Sequence, residues 1–156
     1  MKKIIIWAVA IIILLVLVIS ITQNKDNSAV ASTSDSQLVA QSDSFDFGDI
    51  DIFGGKVSTD YIIENRGTQD VAITSAYTSC MCTEGEINGY KFGMHGSSGE
   101  EAIIPAGGQE TLTAIFDPLA HGPEGTGPIT RELILETNST ASPELTIHFR
   151  GNVVKN

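Results

Sequence analysis

Hydrophobic and polar positions fall into three regimes along the chain. The first is an unbroken apolar run. After Met1-Lys2-Lys3, Ile4 to Ile21 form eighteen residues with no charge and Ser20 as the one polar side chain. A helix of that length rises about 27 Å, close to the hydrocarbon thickness of a bilayer. We therefore expect a single-pass anchor over 4–21, with residues 1–3 as a cytoplasmic stub held by the two lysines. A cleaved signal peptide competes with this, because Ala29-Val30-Ala31 has the small-x-small form of a cleavage site. That site ends ten residues past Ile21, and the apolar run exceeds a usual signal core of about 7–15 residues. The first cysteine after the run is Cys80, too far along to be a lipid-modified N-terminal cysteine. Both surviving readings place the remaining chain in an extracytoplasmic, disulfide-permissive compartment.

The second regime, 22–44, is polar. Asn24 to Ser44 holds six serines and no aromatic residue, a composition that predicts a flexible tether. The third, 45–156, alternates. Short β-prone runs are punctuated by Gly, Pro, Asn and Asp, and none has helical periodicity. Phe45–Phe53 alternates apolar and acidic residues, with a kink expected at Gly48 because Phe45 and Phe47 cannot share a face with Ile50 and Ile52. Lys56–Asn65 places Val57, Thr59, Tyr61 and Ile63 on one face. Asp70–Ser79 does the same for Val71, Ile73, Ser75 and Tyr77. Glu84–Glu101 is glycine-rich and reads as a loop. Ala102–Ile104, Glu110–Phe116, Ile129–Thr137 and Glu144–Val154 complete seven strands, with Leu133 and Leu135 pointing inward. An all-β chain with seven strands in this length predicts an immunoglobulin-like β-sandwich.

Charge narrows the function classes. Lys2 and Lys3 are two of nine basic residues, and all nineteen acidic residues lie beyond Ile21, so the exported part carries −12. Such a surface repels nucleic acid and anionic lipid. There is no Gly-x-Ser-x-Gly, His-Glu-x-x-His or phosphate-cradling loop, so we do not expect an enzyme.

The two cysteines, Cys80 and Cys82, sit one residue apart in Tyr77-Thr-Ser-Cys-Met-Cys-Thr-Glu-Gly85. They cannot form the usual bridge between two sheets. Phe45-Asp46-Phe47-Gly48-Asp49-Ile50, Asn65-Arg66-Gly67, Ser79-Cys80-Met81-Cys82-Thr83, Ile104-Pro105-Ala106-Gly107 and Phe116-Asp117-Pro118 follow in an order that resembles the bacterial family called domain of unknown function 1573. The resemblance covers Phe45 to Val154 and implies an extracytoplasmic, immunoglobulin-like domain, with no activity attached. The family's usual residue between the cysteines is Gly, where this chain has Met81.

Loop parity then suggests a site. In an antiparallel sandwich successive loops alternate between ends, so Gly54-Gly55, Cys80–Glu101 and Asp117–Pro128 should share the end farthest from the tether. That gathers Cys80, Cys82, Met94, His95 and His121. Extended residues at i and i+2 project to one side, so the two sulfurs can address one ion, while Met81 would face away and pack. Thiolate, thioether and imidazole suit copper(I) before zinc. A metal-binding module is therefore the first reading. The second is an interaction domain for an unidentified envelope protein, with structural cysteines. The third is thiol–disulfide exchange, ranked last because no Lys or Arg lies between Gly67 and Tyr90 to lower a thiol pKa. His148, mid-strand, is expected on the sheet surface.

Overall fold

The computed structural model describes residues 33–156. The expected anchor and cytoplasmic stub lie outside the described residues, among which no helix is long and apolar enough to cross a membrane. The described chain is all β, with two sheets and eleven strands where the sequence predicts seven. These are β1 (Leu38–Ala40), β2 (Ser44–Asp51), β3 (Val57–Asn65), β4 (Val71–Thr78), β5 (Thr83–Ile87), β6 (Tyr90–Gly93), β7 (Gly96–Ser98), β8 (Ala102–Ile104), β9 (Gln109–Phe116), β10 (Gly127–Thr137) and β11 (Glu144–Val154). One sheet runs β1-β3-β9-β5-β6-β7 and the other β2-β11-β10-β4-β8. The alternating residues of both meet in one core, in which Ile52, Ile63, Ile73, Leu112, Leu133, Leu135 and Ile147 are fully buried. Phe149 links the layers, edge-on to Phe47 and to Phe116.

Two segments expected to be irregular are ordered. The segment expected to be a loose tether belongs to the sandwich from Ser34 onward. Leu38–Ala40 pair with Ile63–Asn65 at the sheet edge. Ser34 bridges Ser139, and both are buried. Ser139 Oγ donates to the Ser36 carbonyl at 2.6 Å and accepts from the amides of Ala141 and Ser142 at 3.1 and 3.0 Å. Polar composition hid this segment because Ser34 and Ser36, which precede the strand, are buried as hydrogen-bond partners, not as apolar filling. Ser139→Ala removes that shared partner and is expected to cost about 1–3 kcal/mol. Urea unfolding would show it as a lower midpoint at unchanged slope.

The stretch expected to be a glycine-rich loop is instead the hairpin system β5–β6–β7. Its first turn is Asn88-Gly89, both at positive φ, 49° and 80°. Both central residues of a tight hairpin turn of this kind need the left-handed region, which Asn and Gly enter most easily. Gly85 sits under the Phe92 ring, in space that a Cβ would occupy.

The kink expected at Gly48 is present. Gly48 has φ 65°, and the parallel pairing of β2 with β11 shifts there. A second irregularity falls in β4, where pairing with β10 skips Thr74. That bulge inverts the faces of the rest of the strand. Ala76 and Thr78 turn inward, and Tyr77, expected to be inside, is exposed.

Register also fixes which loops share an end. Val57, Phe116 and Thr83 form one rung of the first sheet. The β2–β3 turn, the cysteine segment and the loop after β9 therefore project together. The chain enters at the other end, where Leu38 pairs with Asn65.

Candidate functional site

Strand β4 leaves the sheet at Thr78, and the next residues make a tight turn. The Thr83 amide donates to the Cys80 carbonyl at 3.0 Å. Buried Thr78 braces this turn, its hydroxyl 3.0 Å from the carbonyls of both Cys80 and Thr83. Ser79 ties the segment to β10, its amide donating to the Glu132 carbonyl and its hydroxyl accepting from the Glu132 amide. The sequence suggested an extended Cys-Met-Cys with Met81 packed. In the turn Met81 points out, 63% exposed. Cys80 and Cys82 are joined in a disulfide, so their sulfurs are committed to each other. The two ends of the bond differ: Cys82 is 2% exposed and belongs to the core, while Cys80 is half-buried at its edge.

The loop after β9 closes over this turn. The Asp117 amide donates to the Cys82 carbonyl at 2.9 Å. Asp117 Oδ1 then accepts from the Leu119 amide, and the Gly122 amide donates to the Leu119 carbonyl. Gly122, at φ 82°, turns the chain so that His121 faces back. His121 Nε2 lies 3.3 Å from Cys80 Sγ.

From the other sheet comes a group absent from the expected set. Arg131 lies on β10 in phase with Leu133 and Leu135, so it points between the sheets. Its Nε donates to Cys82 Sγ at 3.0 Å, and its Nη1 donates to the Thr130 carbonyl at 2.7 Å. Its Cζ lies 5.9 Å from the centroid of the Phe116 ring. Burial pushes the guanidinium pKa below its ordinary value. None of the ion pairs among the described residues includes Arg131. The missing sequence cation is thus supplied from 49 residues away. The signal was present: the parity that turns Leu133 and Leu135 inward turns Arg131 inward too.

Of the five expected ligands, three come together. One donor atom each from Cys80, Cys82 and His121 lies within 4.8 Å of the others. Met94 and His95 form the exposed β6–β7 turn, on the same end of the sandwich but outside that group. His148 is on the outer face of β11, its Nδ1 3.6 Å from Glu132.

These features define a two-sheet β-sandwich domain carrying a Cys-x-Cys disulfide at one end, with an arginine against one sulfur and a histidine against the other. The chain belongs to the family described as protein of unknown function (DUF1573), whose model matches residues 38–153. No curated protein matches it. Among solved structures it resembles a protein of unknown function from Porphyromonas gingivalis W83, at 17% identity and a TM-score of 0.61 over 81% of this chain. The match spans 51% of that protein, so this chain covers about half its length. It also resembles part of a family 123 glycoside hydrolase from Clostridium perfringens, at 5% identity and TM-score 0.53, over 79% of this chain and 28% of that one. A PapD-like domain of human CEP192 matches at 15% identity and TM-score 0.47, over 80% and 89%. At these identities the likeness is one of fold.

Proposed function

We propose that the chain is a membrane-tethered, extracytoplasmic, immunoglobulin-like domain whose Cys80–Cys82 pair carries out thiol–disulfide exchange with dithiols of envelope proteins. The observation that carries this is Arg131. A partly desolvated cation without a carboxylate partner among the described residues holds its Nε 3.0 Å from Cys82 Sγ. While the cysteines are bridged, that sulfur is neutral. Reduction turns it into a thiolate and gives Arg131 its counter-ion. An opposite charge at hydrogen-bond distance favours the thiolate, so the reduced form gains most and the disulfide becomes more oxidising.

Burial sets the direction of the reaction. A substrate thiolate attacks the accessible Cys80 Sγ and forms a mixed disulfide. The Cys80–Cys82 bond breaks, and its electron pair leaves on Cys82 Sγ beside Arg131. The second substrate thiolate then attacks the first substrate sulfur and releases Cys80. The substrate dithiol ends as a disulfide, and its two protons pass to the cysteines or to solvent.

A structural role has less support. The bridge closes a loop with a sequence separation of 2. In the chain-entropy account so small a ring contributes about 1–2 kcal/mol. The location rests on the apolar run 4–21. The chain enters the sandwich at the end opposite the cysteines, which would hold them away from the bilayer. The test is the reduction potential of the full chain, equilibrated in glutathione buffers and read by thiol alkylation. We expect it well above about −300 mV, the level below which structural bridges fall. A value at or under that level would overturn the reading.

A further inference from the structure

Reduction of the pair exposes a second chemistry. We propose that the dithiol form is a three-donor site for a soft monovalent cation, copper(I), held by Cys80 Sγ, Cys82 Sγ and His121 Nε2. The inference rests on the same cysteine pair as the exchange reading and adds an ion, a third ligand and a gate.

Distances support the geometry. A trigonal ion with bonds of about 2.2 Å holds its donors about 3.8 Å apart. The Cys80 sulfur and the His121 nitrogen are 3.3 Å apart, and all three donors lie within 4.8 Å of one another. Once the covalent bond is broken the sulfurs separate to non-bonded distance, which is the change the ion requires. Approach is open from the side of His121 and Cys80. His121 is exposed and Cys80 half-buried, while Cys82 sits underneath. A neutral imidazole protonated on Nδ1 presents Nε2 as a ligand.

Charge selects the ion. Two thiolates and Arg131 sum to −1. A monovalent ion brings the half-buried site to zero, whereas zinc leaves it at +1. An uncompensated charge is costly in partly desolvated surroundings. Coordination number points the same way, since structural zinc is almost always bound by four protein ligands and three are present. Soft thiolates favour copper(I) in any case.

The gate follows from the bond. In the disulfide neither sulfur is a thiolate. Two external thiols must first reduce the pair, leaving as one disulfide, and the ion then displaces the remaining thiol protons. Copper occupancy is thus conditional on the redox state of the pair.

The experiment uses the full chain in detergent under anaerobic conditions, titrated with copper(I) against the chromophoric chelator bicinchoninate. The reduced protein is expected to retain one copper(I) and the oxidised protein none. His121→Ala is expected to bind about tenfold more weakly or worse, with an unchanged melting temperature because the side chain is exposed. X-ray absorption of the wild-type complex should show two sulfurs and one nitrogen. Surrender of all copper to the chelator, wild-type affinity in His121→Ala, copper on the oxidised form, or preferential retention of zinc would each overturn the proposal. The reduction potential of the same metal-free preparation separates the two readings. An oxidising potential without copper binding leaves exchange standing alone. Copper binding with the potential of a structural bridge leaves the metal site alone.

Discussion

Cys82→Ala is expected to turn the domain into a trap for disulfide-bearing partners, and Cys80→Ala is expected to trap almost nothing. When Cys82 is absent, the Cys80 thiolate attacks a small disulfide or a partner's disulfide, expels one of its sulfurs as a thiolate and keeps the other in a mixed disulfide that Cys82 is no longer there to resolve. When Cys80 is absent, the remaining thiol is 2% exposed under the turn. Two effects oppose each other here. Arg131 favours the Cys82 thiolate, which raises its reactivity, while burial denies it access. Exchange requires the attacking and attacked sulfurs to approach along one line, and Arg131 and the core occupy the inner side of Cys82. Access therefore wins. The rate of mixed-disulfide formation with an aromatic disulfide reporter is expected to be on the order of tenfold or more higher for Cys82→Ala. Loss of the bridge should leave both variants folded, because the ring contributes about 1–2 kcal/mol to a domain stability of about 5–15 kcal/mol. Equal rates, or a faster Cys80→Ala, would reverse the assignment of the two sulfurs.

Much of this site could be read in the sequence, and what could not has identifiable causes. Loop parity brought His121 to the cysteines across 41 residues, although four more strands are present than the sequence suggested. The parity held because the strands formed in Glu84–Glu101 leave β9 running toward the cysteine end, where Phe116 pairs with Thr83 and Val57. The Asn88-Gly89 hairpin was a legible signal inside that segment, masked by the surrounding glycines. The β4 bulge was not legible. One skipped residue reverses every later side chain, and nothing in Val71–Thr78 marks where the skip falls. The polar residues Ser34 to Gln37 hid the short apolar strand β1 that follows them. Arg131 was hidden differently: a cation search confined to neighbouring residues in the chain cannot find a partner that arrives from the opposite sheet. Ile129, Arg131, Leu133 and Leu135 share one phase on β10, and only the arginine breaks that apolar series. A charge at an inward position of a sandwich strand is costly without a partner, and the structure supplies one in Cys82 Sγ.

Arg131→Gln is expected to lower the reduction potential by about 30 mV, a tenfold change in the exchange equilibrium. The sign comes from comparing the two states. In the reduced protein the guanidinium faces a thiolate, and a hydrogen bond to a charged group contributes about 1.5–3 kcal/mol. Arg131 keeps partial contact with solvent, which favours the lower end, about 1.5 kcal/mol, and hence about 30 mV for a two-electron couple. In the oxidised protein the same group faces a neutral sulfur and remains a poorly compensated cation. Glutamine removes the favourable term from the reduced form and the unfavourable one from the oxidised form, so both shifts make the disulfide harder to reduce. Arg131→Lys keeps the charge but loses the planar fork and its contact with the Phe116 ring, so its potential should lie between the other two. If Arg131 is only packing, the result differs. Both variants would then melt lower, by the loss of a ring contact worth about 0.5–1 kcal/mol, while the potential stayed where it was. Only a potential that follows the charge at position 131, with glutamine below lysine and lysine below arginine, assigns the arginine to the chemistry of the sulfur.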